Sequence, residues 1–505
     1  MVKHTYIIKL ILKKQFLIIL CCCFFTTLSA QRFEDDQFFF RYRYNDSILV
    51  LPKKPFKAAV ETFGLNIGVW AFDRYALRGE YAYINWNTMK KNIRHGFVWD
   101  NDKFSTNLFA HPYHGGLYFN AARSNGMNFW ESIPYTVGGS LMWEFLMENE
   151  PPAINDFIAT SIGGLCLGEV TFRLSDLLID DRATGFTRFG REFLVTLVSP
   201  MRGLNRIIDG DAWKIRRIKG RSIKSIPASF YVTVGHRGLA EDSEIRTEFD
   251  NGMYVDLKLV YGDPFDEGND KPYDSFSLST TFNFFSYQPI ISRFNAIGQL
   301  WGKNIPLKSE KSRLHLGIYQ HFDYYDSEAV LDGSKINSYR ISEAAAFGVG
   351  SLFRSQLGKN TKFFASGYVN AILLGGSITD HFHAVDRDYN MGSGFSTKLS
   401  GTFIFRNKAE LGFSAKDYRL FTWKGYDPEI DLSKLSHEEQ LYLDAQGDKG
   451  NANLTVLSLD FNYRFRKRYT FSIETSYYLR ESNYKYFPDV EYQIVESKIG
   501  LGYLF

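Results

Sequence analysis

The stretch NLTVLSLDFNYRFR, residues 453–466, indicates the fold class, because apolar and polar side chains alternate along it with a period of two. One face carries Thr455, Leu457, Leu459, Phe461, Tyr463 and Phe465, and the other carries Val456, Ser458, Asp460, Asn462, Arg464 and Arg466. The following stretch repeats the pattern, with Tyr469, Phe471, Ile473, Tyr477 and Leu479 on its apolar face. A soluble sandwich also alternates, but so many aromatic residues on one face favour a barrel with a polar lumen.

Segments of this kind recur along the chain, and we expect about twelve strands, an even number that suits a bacterial barrel. They begin near residues 228, 252, 274, 289, 311, 338, 361, 393, 408, 452, 468 and 491. Over the last seven, tight turns alternate with longer loops, as periplasmic turns and extracellular loops should. A short turn near residues 287–290 departs from that rule. The prediction is a mainly β protein whose residues 227–505 form an antiparallel transmembrane β-barrel.

The C-terminal sequence YQIVESKIGLGYLF supports a barrel of the outer-membrane type. It places Ile499, Leu501, Tyr503 and the terminal Phe505 on one face. This ending resembles the signal by which outer-membrane barrels are recognised for insertion. The expected partners are therefore outer-membrane lipid and the barrel assembly machinery, the latter through the strand that ends at Phe505.

The N-terminus has the features of a cleavable signal peptide, residues 1–30. Lysines precede the apolar run FLIILCCCFF, and small residues end it. A lipid anchor on Cys21, Cys22 or Cys23 is the alternative, although Leu or Cys precedes each of them. Cleavage leaves Cys166 as the only cysteine, so no intramolecular disulfide can form. We expect export and residence in the cell outer membrane.

Composition excludes some other classes of protein. The formal net charge is +3 over 505 residues, with the cations scattered, so nucleic-acid binding is not indicated. After residue 30 there is no run of roughly 18 apolar residues free of charge, so we do not expect a helical membrane protein.

Residues 31–226 are predicted to form a helical or mixed module of about 190 residues. A candidate helix covers residues 58–77, and two more cover 129–148 and 153–178, separated by Pro151-Pro152, with Asn155 as a plausible N-cap. The last two are expected to form a hairpin. Thr160, Gly164 and Gly168 fall four apart and form a strip where another backbone could approach closely. The basic run WKIRRIKGRSIK, residues 213–224, suits either anionic headgroups or a solvated linker.

Two long stretches carry a family resemblance. FSTNLFAHPYHGGLYFNAARSNGMNFWES and GGSLMWEFLMENEPPAINDFIATSIGGLCLGEVTFRLSDL together resemble the bacterial domain of unknown function 3943 family, over roughly residues 100–200. The resemblance implies an exported, outer-membrane-associated protein of Gram-negative bacteria, especially Bacteroidota. It implies no activity.

The same region supplies the candidate site. The candidate catalytic residues are His111, His114, Glu144 and Asp156, and the candidate binding residues are Asn155, Glu148, Glu169 and Arg173. Imidazole with carboxylate suits acid and base chemistry on an ester, with Ser124 or Ser140 as a nucleophile, and it also suits a metal. Because Pro112 and the two glycines predict a turn at HPYHGG, structural packing is favoured, and we assign no metal and no cofactor.

Three functions follow from these patterns. The leading prediction is an outer-membrane β-barrel protein of unknown specific activity, with a structural, transport or envelope-maintenance role. The alternatives are an envelope lipid or glycan hydrolase and an open pore or transporter. Helices held inside or against a barrel give polar residues a structural purpose. Glu144, Asn155, Asp156 and Arg173 are expected to bond inward-facing Lys, Arg and Ser of the lumen.

Overall fold

The structure is a computed structural model. It describes residues 48–505 except 100–101, 225, 242–249, 285–287, 328–338, 385–387, 437–438, 441–442 and 444–445. The proposed signal peptide, with its three cysteines, therefore lies outside the described residues, as does part of the turn expected at 287–290.

The C-terminal part is a closed antiparallel barrel in which each strand pairs with its sequence neighbours and β1 pairs with β12. The twelve strands are β1 Ala228–Glu241, β2 Asp250–Tyr261, β3 Phe276–Asn283, β4 Ile291–Ile305, β5 Ser312–Asp326, β6 Arg340–Gly358, β7 Thr361–Ile378, β8 Tyr389–Phe405, β9 Ala409–Thr422, β10 Gly450–Arg464, β11 Tyr469–Tyr484 and β12 Val490–Leu504. The predicted fold and strand number are confirmed. We call the end where β1 begins and β12 finishes the lower end, and the opposite end the upper end.

The inward face of the barrel is crossed by polar side chains. Tyr325 on β5 lies with its ring centroid 6.5 Å from that of Tyr478 on β11, six strands away around the barrel. Arg293 on β4 donates to Glu474 on β11 at 2.8 Å. Contacts between opposite walls are possible only through the lumen, so these side chains define the inside.

The outward face of the barrel is apolar, as the alternation predicts. On β10 the exposed side chains include Leu457, Leu459, Phe461 and Tyr463, whereas Leu454 and Val456 are buried. An even, closed, antiparallel barrel with an apolar exterior and a polar interior is the architecture of an outer-membrane protein. The barrel thus places the protein in the outer membrane.

The N-terminal part is helical. Its α-helices are α1 Pro55–Phe72, α2 Trp86–His95, α3 His111–Ser124, α4 Phe129–Met142, α5 Ile154–Ile158, α6 Gly164–Leu178, α7 Gly185–Val198 and α8 Pro200–Ile208. Four π-helical segments extend them, at Asp73–Leu77, Thr106–Ala110, Trp143–Met147 and Ala159–Gly163. The last of these joins α5 to α6, and Ala153, rather than Asn155, is the N-cap.

These helices lie on the outer wall of the barrel. Phe109 packs against Phe322 on β5, with ring centroids 6.2 Å apart. The next residue, Asp323, points the other way and pairs with Lys398 inside the lumen at 2.7 Å. The expectation that the module's polar residues bond the lumen is therefore wrong, because the inward cations already pair with inward acids and the helices meet the other face.

The helical part of the chain runs alongside the barrel, between its upper and lower ends, four times. Trp99, which follows α2, lies 5.0 Å from Trp423 just beyond the upper end of β9, so α2 is an upper element. At the other extreme, Arg173 near the end of α6 bonds Asp274 and Pro272 in the lower β2–β3 connection. Hence α1 ascends, α3 descends, α4 ascends and α5–α6 descends, before α7 and α8 lead into β1 at the lower end.

Glycines set the distance between the two descending helices. A Cβ on Gly115 of α3 would lie 1.8 Å from the carbonyl oxygen of Thr160, and one on Gly164 would lie 2.6 Å from the backbone of Gly115. The predicted small-residue strip is thus a contact surface, and its partner is the glycine pair of HPYHGG. The turn expected there is wrong: the segment is helical and continues directly from the π-helical segment Thr106–Ala110, so Pro112 lies inside a continuous helix.

The hairpin expected between residues 129–148 and 153–178 is not the main helix pair, because α6 packs chiefly against α3. Among the described residues one helix, Ile154–Leu178, is long and apolar enough to span a membrane, with a mean hydropathy of 1.3. Inside the protein, 72% of its most apolar window is buried, as it also would be in a core helix.

The predicted basic run lies at the lower end and is largely bonded to the module itself. Arg216 pairs with Asp181 and Asp211, both at 2.5 Å, and Arg221 donates to the carbonyl of Leu177. Nearby, burial alone would raise the pKa of Asp209, but hydrogen bonds from Lys57 and Lys54 hold that pKa below its ordinary value. These contacts fix α1 and α8 to one another.

Candidate functional site

The helical module holds two polar clusters at different heights. The upper cluster centres on His111 and Asp156, whose Nε2 and Oδ2 atoms are 3.6 Å apart. His111 is the first residue of α3 and Asp156 lies in the first turn of the α5–α6 helix, so two parallel descending helices present them at the same level. Asn155 donates to the other carboxylate oxygen of Asp156 at 2.6 Å.

Glu144 and Glu148 complete this upper cluster from the end of α4. The buried carboxylate of Glu144 accepts the backbone N–H of Ala153 at 2.8 Å, which ties α4 to the start of α5. Glu148 accepts the indole N–H of Trp143, and its carbonyl accepts the side-chain amide of Asn92 on α2. Both glutamates therefore hold the upper connections together.

His114 does not face a carboxylate. Its ring packs between Tyr118 and Trp143, with centroid distances of 4.7 and 5.1 Å, and its Nε2 is buried with no hydrogen-bond partner among the described residues. One helical turn separates it from His111, but the two imidazoles have different neighbours: aromatic rings surround His114, and Asp156 lies near His111. Of the two predicted histidines, only His111 has an acidic partner.

The lower cluster is a compensated ion network. Glu169 on α6 accepts from Arg123 and from Arg173, both at 2.7 Å, and Arg173 reaches Asp274 at 3.0 Å. Glu169 is fully buried and Arg173 is 2% exposed. Two arginines and two carboxylates pair here, and Lys224 also lies 3.4 Å from Asp274, so the cluster joins α3, α6 and the barrel.

The eight predicted site residues therefore separate into two groups. His111, Glu144, Glu148, Asn155 and Asp156 lie at the upper end, with His114 one helical turn below His111, whereas Glu169 and Arg173 lie about 20 to 26 Å below Asp156 along the same helix. Ser124 follows His111 by thirteen residues on one helix, so it lies roughly 20 Å away and cannot serve it. Ser140 is buried on α4, and its hydroxyl has no hydrogen-bond partner among the residues described.

The structure adds residues that sequence reasoning missed. Tyr118 donates to Asn66 of α1, and the Asn66 amide donates to the carbonyl of Gly139 on α4 at 3.0 Å. Asn66 sits in an apolar helix, and an isolated amide in such a helix was the available signal. Arg123 and Asp274 lie far apart in sequence, and no local pattern connects them.

A metal is not supported by this geometry. In the described part of the chain, no group of three or more His, Cys, Asp and Glu is placed to hold a metal ion. What the upper cluster offers is one imidazole with one carboxylate, a pair that can accept a proton and stabilise the resulting charge.

Comparisons with known proteins cover the two parts of the chain separately. Residues 96–201 match the model of the domain of unknown function 3943, which confirms the family resemblance over the helical part and does not reach the barrel. A Bacteroidota origin stays a prediction. Among curated proteins, none matches the chain significantly.

Several solved outer-membrane barrels align with between 54% and 61% of the chain. A KdgM porin in complex with disordered oligogalacturonate shares 9% identity, covers 54% of this chain and 99% of its own, and has a TM-score of 0.22. The outer membrane channel DcaP of Acinetobacter baumannii shares 9% identity, covers 56% of this chain and 97% of its own, and has a TM-score of 0.22. The translocator domain of the autotransporter NalP from Neisseria meningitidis shares 12% identity, covers 61% of this chain and 95% of its own, and has a TM-score of 0.24. At such low scores, the barrel assignment rests on this chain's own strand pairing.

Proposed function

We propose that this protein is an outer-membrane component in which the barrel and the four helical passages occupy the same bilayer side by side, and that its role is directed at lipid. The observation that carries this proposal is the inverted polarity of the helical module. On α1 the buried side chains include Thr62 and Asn66, whereas Phe56, Val60, Phe63 and Ile67 are between 39% and 82% exposed. A helix in water has the opposite arrangement.

The heights of the two polar clusters support the same arrangement. Asp156 and Arg173 are seventeen residues apart on one continuous helix, which is about 26 Å, close to the thickness of a hydrocarbon core of about 30 Å. Apolar residues such as Leu165 and Val170 lie between them, buried against the other helices and the barrel wall. The charged groups thus lie near the two membrane surfaces.

The crossed lumen favours a lipid-directed or structural role over a pore. Besides the contacts that define the inside, Lys416 on β9 donates to Tyr325 on β5 at 2.9 Å and reaches Asn295 on β4 at 3.3 Å. These side chains connect opposite walls across the lumen. We expect the purified protein in planar bilayers to show no steady conductance, and a stable ohmic conductance would support the alternative of an open pore.

The placement of the helices is tested by the surroundings of α1. A spin label on Phe63→Cys, in a Cys166→Ala background, should be relaxed strongly by oxygen and weakly by a water-soluble nickel complex. The same label on Lys214→Cys, an exposed residue at the lower end, should show the reverse. If both labels prefer nickel, the module lies in water and the proposal fails. Heat-modifiable migration and recovery in the outer-membrane fraction test the barrel separately.

Insertion is proposed to use the barrel assembly machinery through β12. The outward Phe505 contacts Phe230 on β1, with ring centroids 5.6 Å apart, so the terminal residue closes the seam of the barrel. Deletion of Phe505 should lower the yield of heat-modifiable protein, while Tyr486→Ala, at the opposite end, should leave that yield unchanged.

A second candidate function, hydrolysis of an envelope lipid or glycan ester, is favoured by the proximity of His111 and Asp156. In this reaction the imidazole accepts a proton from water as the oxygen attacks the ester carbonyl. The bond between that carbon and the alkoxy oxygen then breaks, and the leaving alkoxide takes the proton from the imidazolium. Asp156 would stabilise the protonated imidazole, and Glu144 and His114 would hold the surrounding helices.

Release of fatty acid from phospholipid or glycolipid vesicles by the reconstituted protein tests this candidate. His111→Ala and Asp156→Asn should each lower the rate at least about a hundredfold. Ser124→Ala should have no effect. A His111→Ala protein that keeps its full rate would exclude this dyad.

A further inference from the structure

We infer that α2 binds the phosphorylated headgroup of a glycolipid in the outward-facing leaflet of the membrane. This inference rests on the proposed function, which places the upper end of the helical module at the membrane surface. The site is a shallow concavity of about 460 Å³ on α2. Its lining residues are Asn87, Lys90, Lys91, Arg94 and His95.

The spacing of these residues makes one continuous cationic surface. They fall at positions i, i+3, i+4, i+7 and i+8, so all of them lie along one side of the helix. All five side chains are exposed, and α2 contains no acidic residue. Elsewhere in the module the cations are mostly bonded within the protein. Among the described ion pairs, none involves Lys90 or Arg94.

The opposite flank of α2 explains why the ligand should be a lipid rather than a free anion. Trp86 is 79% exposed and Ile93 is 62% exposed, and both lie on the side of the helix away from Lys91. A short helix with an apolar flank and a cationic flank lies in the plane of a membrane surface, with its apolar side chains among acyl chains and its cations at headgroup level.

The docking of α2 fixes this orientation. Asn92 is the buried residue of the helix and donates to the carbonyl of Glu148, next to the upper cluster. A capping box formed by Asn85 and Thr88 begins the helix, and Phe97 beyond it packs against Phe157, with ring centroids 5.8 Å apart. The helix is therefore held to the module by Asn92 and by Phe97 just after its end, and it presents its cations outward.

The upper location decides between the two leaflets. The longest connection of the barrel, between β9 and β10, lies at this end together with those between β5 and β6 and between β7 and β8, and both barrel termini lie at the other end. This is the arrangement of an extracellular end. Lysine and arginine on one helix recognise phosphate by charge-assisted hydrogen bonds. The outward-facing headgroup expected here is a phosphate-bearing sugar, and we commit to a bisphosphorylated glycolipid.

Binding is measured on full-length protein in detergent, with bisphosphorylated lipid A, its dephosphorylated form, phosphatidylglycerol and inorganic phosphate as the four probes. Bisphosphorylated lipid A should bind roughly tenfold or more tightly than the other three. The triple variant Lys90→Gln, Lys91→Gln, Arg94→Gln should lose that preference. The matched variant Lys214→Gln, Arg217→Gln, Lys308→Gln removes three exposed cations at the lower end and should keep it.

Equal binding of the dephosphorylated form, of phosphatidylglycerol or of inorganic phosphate would overturn the inference. So would undiminished binding by the upper triple variant, or an equal loss in the lower one. The upper variant must still migrate heat-modifiably and fractionate with the outer membrane, which separates this outcome from failure of the proposed function. If it does not, the single variant Arg94→Gln, with an expected severalfold loss, replaces it.

Discussion

The two polar clusters of the helical module contain similar residue types but are built differently. In the lower cluster, Glu169 accepts from two arginines at 2.7 Å and every charge is matched within the protein. In the upper cluster, His111 and Asp156 stand 3.6 Å apart, and the imidazole is 13% exposed at its side chain. Tight pairing and full burial mark a structural joint, whereas a looser pair close to the surface retains the freedom to exchange a proton or meet a ligand.

Exchange of one carboxylate for an amide at each cluster tests this comparison directly. Glu169→Gln leaves the buried Arg173 and the partly buried Arg123 without their shared acid, and we expect it to destabilise the helical module by about 3 kcal/mol or more. Thermal loss of the helical circular dichroism signal in detergent measures the effect. A shift of the midpoint no larger than that of Asp156→Asn would show that the clusters do not differ.

The next largest loss of stability is expected from a substitution at the glycine contact between α3 and α6. Gly115→Ala adds a Cβ that would lie 1.8 Å from a backbone carbonyl, and the helices must separate, at a cost of about 2 kcal/mol. Gly64→Ala on α1 is the matched control, because its Cβ meets open space; it should be neutral or raise stability by up to about 1 kcal/mol. Equal midpoints for the two alanine variants would contradict the close approach.

Glu144→Gln should have an intermediate effect. The amide oxygen of glutamine can still accept the Ala153 N–H, but it does so without the strength of a charged acceptor, and we expect a loss of about 1 to 2 kcal/mol. The same helical signal reports it. A loss as large as that of Glu169→Gln would place Glu144 with the compensated structural residues.

The smallest effect on stability is expected for Asp156→Asn, at about 1 kcal/mol or less, because the contact with His111 is long. Its consequence should instead appear in lipid hydrolysis, if the upper cluster catalyses it. Asp156→Asn with unchanged midpoint and unchanged hydrolysis would leave the upper cluster with a packing role only.

Much of the barrel was predictable, for a physical reason. Alternation reports directly on a wall that faces lipid on one side and polar groups on the other. The predicted starts near 228, 361 and 468 compare with observed starts at Ala228, Thr361 and Tyr469. The sequence of the helical module contains weaker signals of how its helices pack. A lone amide such as Asn66 in an apolar helix hints at inverted polarity, but it does not reveal which partner it meets.

By itself, the sequence determined a barrel of about twelve strands, the two faces of the last strands, the outer-membrane class and the family resemblance over roughly residues 100–200. The strands and their faces follow from local spacing, because side chains alternate with a period of two, and the family resemblance follows from the two long motifs. Only the tertiary structure decided that the helices lie outside the lumen, that HPYHGG is a helix built to meet Gly164, and that Asp156 is the acid near His111. Each of these depends on which surfaces meet across long sequence separations, and such meetings are settled by packing rather than by local pattern.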